Sequence, residues 1–350
     1  MKTLSTAFEL QLRELNSDRE KKMVSDFLLE QGLKLDDDVE YTAGIFKDRE
    51  MIATGSLSGN VLKSLAVKKT YQGEGITNKI VTQLINEAYE RGETHLFIYT
   101  KPKNSHLFQD LGFYVIAEVK NHVCLLENKR DGIKTFVKNL ETKKVDGKII
   151  GSIVMNCNPF TLGHQYLIEK AAGECDVLHI FIVWEDRSSF PAATRYELVK
   201  AGTEHLENVI LHKGENYVIS SATFPGYFLK GEEEILRSQT MLDLKIFTEY
   251  IVPALNIHRR YVGEEPYCPV TKIYNESMQE LLPEAGLILK VIERKKINDS
   301  FISASMVRKG LAEGGPEKIR HLVPESTYQF LLTDEGKKII EEIKVRSSRH

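Results

Sequence analysis

Apolar residues in the first part of the chain alternate between helical and strand periods. Residues Ser17–Glu20 have the sequence of a helix-capping box, and apolar residues at helical spacing follow them as far as Gly32. Three short β-rich runs come next, at Tyr41–Phe46, Met51–Leu57 and Leu62–Val67. The pattern predicts one helix and then an antiparallel meander.

A loop with two glycines follows the meander, at Gln72–Gly75. It leads into a helical period near Thr77–Arg91 and then into an apolar run at Leu96–Tyr99. Strands placed before and after a long helix are typical of an α+β domain. We therefore predict that this part of the chain is α+β.

The second half alternates strand and helix in strict succession. Because strand–helix–strand units are right-handed and build parallel sheets, this order predicts an α/β domain with a Rossmann-like parallel sheet. The predicted elements are strand Ile149–Met155, helix Gly163–Ala172, strand Val177–Val183, helix Ala192–Thr203, strand Val209–Leu211, helix Glu232–Tyr250, strand Arg260–Val262, helix Lys272–Leu282, strand Ile288–Ile292, and helices after Ser303 and Thr333.

The length of 350 residues exceeds what one core usually supports and suits two domains. With 42% hydrophobic and 28% charged residues, the chain has the composition of an ordinary globular protein and can fill two cores. The polar stretch Glu127–Lys148 is the best candidate linker. We predict a first domain at residues 1–140 and a second at 147–350.

The charge balance argues against a polyanionic partner. Lys and Arg total 47 against 50 Asp and Glu, a net charge of −3, so we expect no nucleic acid and no membrane among the partners. Two short basic runs, His258–Arg260 and Glu293–Lys296, are interpreted as solvated strand edges. No apolar run is long enough to span a bilayer, and we expect a cytoplasmic location.

The four cysteines are far apart and have no C-x-x-C spacing. This usage is typical of a reducing compartment without a zinc site, and we expect each cysteine to be a small buried residue. Cys157 lies beside the motif that carries the chemistry, so a reactive thiol is the alternative there.

The strand predicted at Ile149–Met155 leads into Thr161-Leu162-Gly163-His164 and a helical run. In a parallel α/β sheet, ligands bind at this place, and the N-terminus of the following helix favours phosphate. Thr161 and His164 are three residues apart across the helix start, so a hydroxyl and an imidazole can face one phosphate chain. Gly163 lets the backbone come close.

A second pattern, Ile302–Arg308, predicts a late helix that begins with phosphate ligands. Ser303 as N-cap leaves backbone N–H groups free, Ser305 adds a hydroxyl, and Arg308 supplies a planar fork. Alone, each pattern is also typical of an ordinary capped helix. Together with Asn158-Pro159-Phe160, they resemble the T-x-G-H and I-S-x-S-x-x-R elements of the nucleotidylyltransferase superfamily.

This resemblance implies an ATP site on a Rossmann-like (HUP-type) fold, where a nucleophile attacks the α-phosphate and pyrophosphate leaves. It implies Thr161, His164 and Arg308 as catalytic residues. Mg²⁺ is expected with the ATP, and no protein metal ligand is predicted. The implied nucleotide-binding residues are Asn158, Pro159, Phe160, Gly163, Arg195, Gly263, Ser303 and Ser305. A solvated helix position for Arg195 and a plain turn at Gly263–Pro266 are the alternatives.

The first half carries a different resemblance. Strand Leu65–Val67, the turn Gln72–Gly75 and the helix after it resemble motif A of the GNAT acetyltransferases, and Leu111–Phe113 fits the end of that domain. The resemblance implies that Gln72, Gly73 and Gly75 bind the pyrophosphate of a coenzyme A-like group. Thr77 departs from the motif, which prefers a smaller residue there. An ordinary glycine turn is the alternative.

With both halves taken together, nearly the whole chain resembles the citrate (pro-3S)-lyase ligase family, a GNAT-like domain fused to a T-x-G-H domain. This resemblance implies that acetate attacks ATP to give acetyl-adenylate and pyrophosphate. The thiol of the CoA-like prosthetic group on the acyl carrier subunit of citrate lyase then takes the acetyl group and releases AMP.

Two other functions fit the same motifs. The chain could be an adenylyltransferase for phosphopantetheine or a nucleotide, with an independent N-acetyltransferase attached. It could also be a nucleotide sensor without turnover. The presence of Thr161, His164, Ser305 and Arg308 argues against a decayed sensor, which could have lost some of them.

Overall fold

The computed structural model describes residues 10–225, 233–265, 268–297 and 300–347. The chain divides into two compact units, Met1–Gly132 and Ile133–His350, and each has its own sheet. Glu232 and Pro266, which belong to a predicted helix and a predicted turn, lie outside the described residues. No described helix has both the length and the apolar character needed to cross a membrane.

The first unit is built on a mixed sheet of seven strands. Its elements are β1 Gln11–Glu14, α1 Asp18–Glu30, β2 Tyr41–Lys47, β3 Glu50–Ser58, β4 Val61–Val67, a 3₁₀ turn Lys69–Tyr71, α2 Ile76–Glu90, β5 Phe97–Thr100, a 3₁₀ turn Pro102–Asn104, α3 Ser105–Gln109, β6 Tyr114–Val119 and β7 Val123–Glu127. The strand order is β1-β2-β3-β4-β5-β7-β6.

The predicted capping box, meander and long helix of this unit are confirmed. Ser17 caps α1 with Glu20 completing the box, and β2, β3 and β4 pair antiparallel in sequence order. β4 and β5 run parallel but pair only at two positions, Val61 with Phe97 and Leu62 with Ile98. Because β4 continues well beyond this contact, the sheet opens between the two strands.

The second unit has a parallel sheet covered by helices. Its elements are α4 Gly132–Glu141, β8 Ile150–Met155, α5 Leu162–Ala172, β9 Val177–Ile182, α6 Ala192–Gly202, β10 Val209–Lys213, a 3₁₀ turn Glu215–Tyr217, α7 Glu233–Ile246, a π-helical turn Phe247–Ile251, α8 Val252–Leu255, β11 Arg259–Gly263, α9 Pro269–Glu284, β12 Ile288–Ile292, the short pair β13 Lys296–Ile297 and β14 Ser300–Phe301, α10 Ala304–Gly314, α11 Pro316–Ile319, a 3₁₀ turn Arg320–Leu322, α12 Glu325–Leu332 and α13 Asp334–Ser347.

The order of the five long strands is β10-β9-β8-β11-β12, and all their pairings are parallel. The predicted parallel sheet is confirmed. β8 is central, so the chain moves outward to β10 on one side and returns to β11 on the other. The core between this sheet and its helices includes the fully buried rings of Phe160, Phe190 and Tyr261.

The stretch predicted as a linker contains a helix. In α4, the buried residues Ile133, Phe136 and Leu140 recur at intervals of three and four, and the Phe136 ring lies 5.0 Å from the ring of Tyr217. The polar runs that suggested a linker, Asn128–Gly132 and Glu141–Lys144, lie at the two ends of this helix. Polarity averaged over the stretch concealed its amphipathic period.

Candidate nucleotide-binding site

The site lies where the strand order of the second sheet reverses, beside β8 and β11. In open α/β sheets, ligands bind at such a switch point, outside the carboxyl ends of the strands. A cavity of about 440 Å³ is found here. Residues from both sequence motifs and from the end of β11 line it, namely Asn158, Thr161, Gly163, His164, Gly263, Ser303, Ser305 and Arg308.

Thr161 is the N-cap of α5, and its side chain is buried. Its hydroxyl oxygen accepts a hydrogen bond from the His164 backbone N–H at 3.3 Å and lies 3.0 Å from His164 Nδ1. The backbone N–H of Thr161 donates to the same Nδ1 at 3.1 Å. Histidine thus takes the place that Glu or Gln has in the usual capping box. Thr161 therefore orients the imidazole, and a direct contact of its hydroxyl with phosphate stays a prediction.

These contacts determine the state of the His164 ring. A backbone N–H can only donate, so Nδ1 is an acceptor and a neutral ring carries its proton on Nε2. Burial, with a smaller contribution from the positive charge of Arg294, lowers the pKa of His164 to about 4. The ring is therefore neutral near pH 7 and has a hydrogen-bond donor at Nε2.

Replacing Thr161 by alanine is expected to lower the free energy of unfolding of the second unit by about 1 kcal/mol, because α5 loses its cap. Thr161→Ser retains the hydroxyl and should retain most of the stability. The measurement is urea unfolding followed by fluorescence of Trp184, the single tryptophan of the chain. Equal losses in both variants would show that the threonine methyl group, and not the cap, is responsible.

The second motif begins α10. Ser303 is the N-cap, accepts a hydrogen bond from the Met306 N–H at 3.2 Å, and lies 3.0 Å from the Ser305 hydroxyl. Arg308 donates to the carbonyl oxygen of Asn158 at 2.5 Å. The positive end of an eleven-residue helix, two hydroxyl groups and a guanidinium thus line the same cavity as His164. This combination favours an anionic ligand.

Gly163 allows the two motifs to lie side by side. A Cβ atom at this position would lie 3.2 Å from the carbonyl oxygen of Ile302, closer than side chains normally approach. The backbone at Gly163 therefore lies close to the segment that carries Ser303. Its approach to a phosphate stays a prediction.

The comparisons with known proteins agree with this geometry. Residues 150–331 match the model of the citrate lyase ligase C-terminal domain, and residues 4–113 match the acetyltransferase (GNAT) family. A citrate (pro-3S)-lyase ligase from Haemophilus influenzae is 42% identical over 329 residues, which cover 92% of this chain and 98% of that protein. The chain belongs to the citrate (pro-3S)-lyase ligase family.

Two further relatives in this family have similar coverage. The citrate (pro-3S)-lyase ligase of Escherichia coli K12 is 42% identical over 89% of this chain and 90% of its own length. That of Klebsiella pneumoniae is 40% identical, over 89% and 92% respectively. The predicted fold class, a GNAT domain followed by an α/β ligase domain with a parallel sheet, is confirmed.

Two of the residues predicted to bind nucleotide in this ligase are core residues. Pro159 and Phe160 are buried and do not line the cavity. The Phe160 ring packs so closely on α6 that a Cβ atom at Gly202 would lie 2.4 Å from it, and the Phe160 carbonyl accepts from Thr327 at 3.1 Å. The N-P-F sequence therefore anchors the loop, while Asn158 lines the cavity.

The prediction for Arg195 is corrected, as is its alternative of a solvated helix position. Its side chain is completely buried and does not line the cavity. The guanidinium nitrogens lie within hydrogen-bonding distance, 2.7–3.0 Å, of oxygens in the loops after β8 and β9. The acceptors are the carbonyl oxygens of Asn156, Val183, Glu185 and Phe190 and the side-chain oxygen of Asn156. Arg195 is therefore a positioning residue that joins the two loops.

Sequence reasoning missed three cationic side chains of the site. Arg260, Arg294 and Lys295 line the cavity, although both basic runs were interpreted as solvated edges. Arg294 Nη2 lies 2.5 Å from Glu265 Oε2, and Glu265 also accepts from the Cys268 N–H at 3.0 Å. The sequence did contain a signal that Arg260 is buried. It lies in a strand predicted to belong to a parallel sheet, and such strands are covered on both faces.

Cys157, the cysteine beside the first motif, is buried. Burial raises the pKa of the Cys157 thiol, which lies at the cavity wall, so the thiol form is favoured and packing is its role. Cys124 is also buried, whereas Cys175 is partly buried and Cys268 is exposed. The expectation that all four are buried is therefore confirmed for Cys124 and Cys157, and it is wrong for the partly buried Cys175 and for the exposed Cys268, which lines the cavity.

The remaining predicted ligands lie in the GNAT unit. Gly73 and Gly75 have φ angles of 85° and 72°, which favour glycine, and a Cβ atom at either would meet no atom within 4 Å. Gly75 precedes α2, which has no side-chain cap. The Gln72 side chain donates to the Val67 carbonyl at 3.2 Å. The turn thus leaves backbone N–H groups uncapped, and binding of a pyrophosphate there stays a prediction.

Proposed function

We propose that this chain is an ATP-dependent ligase that activates acetate and acetylates citrate lyase. In the first step, a carboxylate oxygen of acetate attacks the α-phosphorus of ATP. The bond to the β-phosphate oxygen breaks, giving acetyl-adenylate and pyrophosphate. In the second step, the thiol of the CoA-like group on the acyl carrier subunit attacks the acetyl carbon, loses its proton, and expels AMP.

The observation that carries this proposal is the convergence of anion-binding groups on one cavity. His164 offers a donor at Nε2, α10 offers its positive end with Ser303 and Ser305, and Arg308 lines the same space. Preorganised donors of this kind stabilise charge that develops on a leaving group. Membership in a family whose relatives are named ligases for citrate lyase supports the choice of substrate and partner.

Mg²⁺ fits this site as a companion of the ATP phosphates. Within the described parts of the chain, no group of three or more His, Cys, Asp or Glu residues could hold a metal ion. Magnesium in nucleotide sites is commonly held by substrate phosphates and few carboxylates, and Glu265 and Glu293 line the cavity. The ion would neutralise phosphate charge, while the chain's own residues orient the triphosphate.

The GNAT unit is proposed to bind the CoA-like arm of the acyl carrier subunit through the turn at Gln72–Gly75. Its positive-φ glycines and uncapped helix start support a phosphate-binding role. A cytoplasmic location, and the absence of nucleic acid and membrane among the partners, stay predictions.

The test is ATP–pyrophosphate exchange with Mg²⁺, in the presence and absence of acetate. We expect exchange that requires acetate, because labelled pyrophosphate enters ATP only when the formation of acetyl-adenylate is reversed. Exchange that ignores acetate and requires phosphopantetheine would support the alternative adenylyltransferase instead. ATP binding with no exchange under any condition, including with thiol-form citrate lyase, would overturn the ligase mechanism.

A further inference from the structure

A buried arginine lines the same cavity as His164. Arg260 lies in β11, and its side chain is 2% exposed. Its Nε and Nη1 atoms are buried without a hydrogen-bond partner, and its guanidinium carbon lies 4.5 Å above the ring of Phe247. Burial lowers the pKa of Arg260, but arginine remains charged in proteins. It is a buried cation that lacks the acceptors such a group requires.

The buried acid that interacts electrostatically with Arg260 does not supply these acceptors. Asp243 accepts from the N–H of Ile219 at 2.8 Å and from the hydroxyls of Thr223 and Tyr274, both at 2.7 Å. It attracts Arg260 electrostatically, but neither Nε nor Nη1 of Arg260 bonds to it. Asp243 therefore offsets part of the charge and leaves the guanidinium hydrogen-bonding capacity unused.

Part of the cavity wall is apolar. The cavity is also lined by Met155, Val183, Ile219 and Met278, all of them buried. Ile219 has a φ of 45°, which is strained for a β-branched residue, and its N–H is held by Asp243. Strained positions that surrounding contacts enforce are concentrated at ligand sites. The strain here places an isoleucine side chain at the cavity wall.

We propose that Arg260 binds the carboxylate of the acid substrate, a short aliphatic monocarboxylate whose alkyl group contacts the apolar wall. The inference rests on the proposed acid activation and adds the residue that selects the acid. Each edge of the guanidinium pairs Nη2 with one of the two unpartnered nitrogens, Nε or Nη1. A carboxylate can therefore accept two parallel hydrogen bonds from one edge. Lys295 and Arg308 also line the cavity, so the triphosphate has other cationic partners and does not require Arg260.

The test compares Arg260→Met with wild type in acetate-dependent exchange. We expect the KM for acetate to rise about 10- to 150-fold, the loss typical of a hydrogen bond to a charged group, while the KM for ATP changes less than about twofold. Arg260→Lys, which keeps the charge but not the fork, should fall in between. Arg259→Met is the matched control, because Arg259 does not line the cavity and should leave both constants unchanged.

Direct binding separates this inference from the proposed function. Line broadening of carbon-13-labelled acetate, with a non-hydrolysable ATP analogue present, should occur with wild type and disappear with Arg260→Met. An unchanged acetate KM in the variant overturns the role of Arg260 and leaves acid activation intact. Wild type that broadens acetate without exchange overturns the activation chemistry alone. If Arg260→Met does not fold, an acetate KM of Arg260→Lys within about twofold of wild type overturns the inference.

Discussion

Replacing His164 by alanine is expected to lower kcat of acetate-dependent ATP–pyrophosphate exchange about 100- to 1000-fold, the usual cost of removing one preorganised donor to a developing anion. The physical reason is that the variant loses the donor at Nε2. In the wild type, Thr161 contacts Nδ1, so the ring proton is on Nε2 and points away from the helix cap. Steady-state exchange at saturating ATP and acetate measures the effect.

The matched control is His205→Ala, since His205 is an exposed histidine that pairs with Glu169 at 3.2 Å and does not line the cavity. His164→Gln can return a donor near the Nε2 position and should restore part of the rate. A rise in the KM for ATP with unchanged kcat would contradict the prediction, because it would show that His164 binds ground state and transition state equally. With a pKa of about 4, His164 should cause no inflection in the rate of wild type between about pH 6 and 8.

The parts of the site that could be predicted from sequence are those whose partners lie within a helical turn. Thr161 and Ser303 are N-caps, and each accepts from a backbone N–H three residues later. Such contacts leave a signal in four consecutive residues. The strand that precedes Thr161 was visible from its apolar run, and its parallel setting followed from the alternation of elements. These local signals placed the Thr161 motif at the edge of a sheet, whereas the Ser303 motif was assigned to the same site through the family resemblance.

Residues whose partners are distant could not be placed in this way. The acceptors of Arg195 lie 5 to 39 residues away along the chain, and β11 pairs with β8 at Arg259 and Gly151. The sequence predicted that Arg260 lies in a strand of a parallel sheet but not which place that strand has in the sheet, and the basic run was interpreted as a solvated edge. Burial of charge depends on strand order, and strand order is set by packing of the whole unit.

Two buried arginines of the second unit differ in how far their hydrogen-bonding groups are satisfied. Arg195 is buried, and its three guanidinium nitrogens donate to oxygens of the neighbouring loops, so its charge is balanced within the protein. Arg260 is buried with two nitrogen atoms unsatisfied, at the wall of a cavity. A fully satisfied group gives rigidity, whereas an unsatisfied one retains capacity for a ligand. We therefore expect loss of the Arg195 charge to lower the stability of the unit, and loss of the Arg260 charge to weaken binding of the acid.

For Arg195→Met, the free energy of unfolding of the second unit is expected to fall by at least about 3 kcal/mol, because several buried carbonyl groups lose their donor at once. The loops after β8 and β9 carry Asn156 and Glu185, so exchange activity should fall together with stability. Trp184 lies between two residues whose carbonyls accept from Arg195, and its fluorescence during urea unfolding reports on this unit.

Lys200→Met is the matched control for this variant, since Lys200 is an exposed cation on the same helix, α6. It should change the free energy of unfolding by less than about 0.5 kcal/mol. An Arg195→Met protein with the urea midpoint of wild type but a raised KM for ATP would contradict the structural role and restore Arg195 as a nucleotide ligand. Loss of stability at unchanged KM for ATP in the folded fraction would instead establish that the guanidinium acts only through the loops it joins.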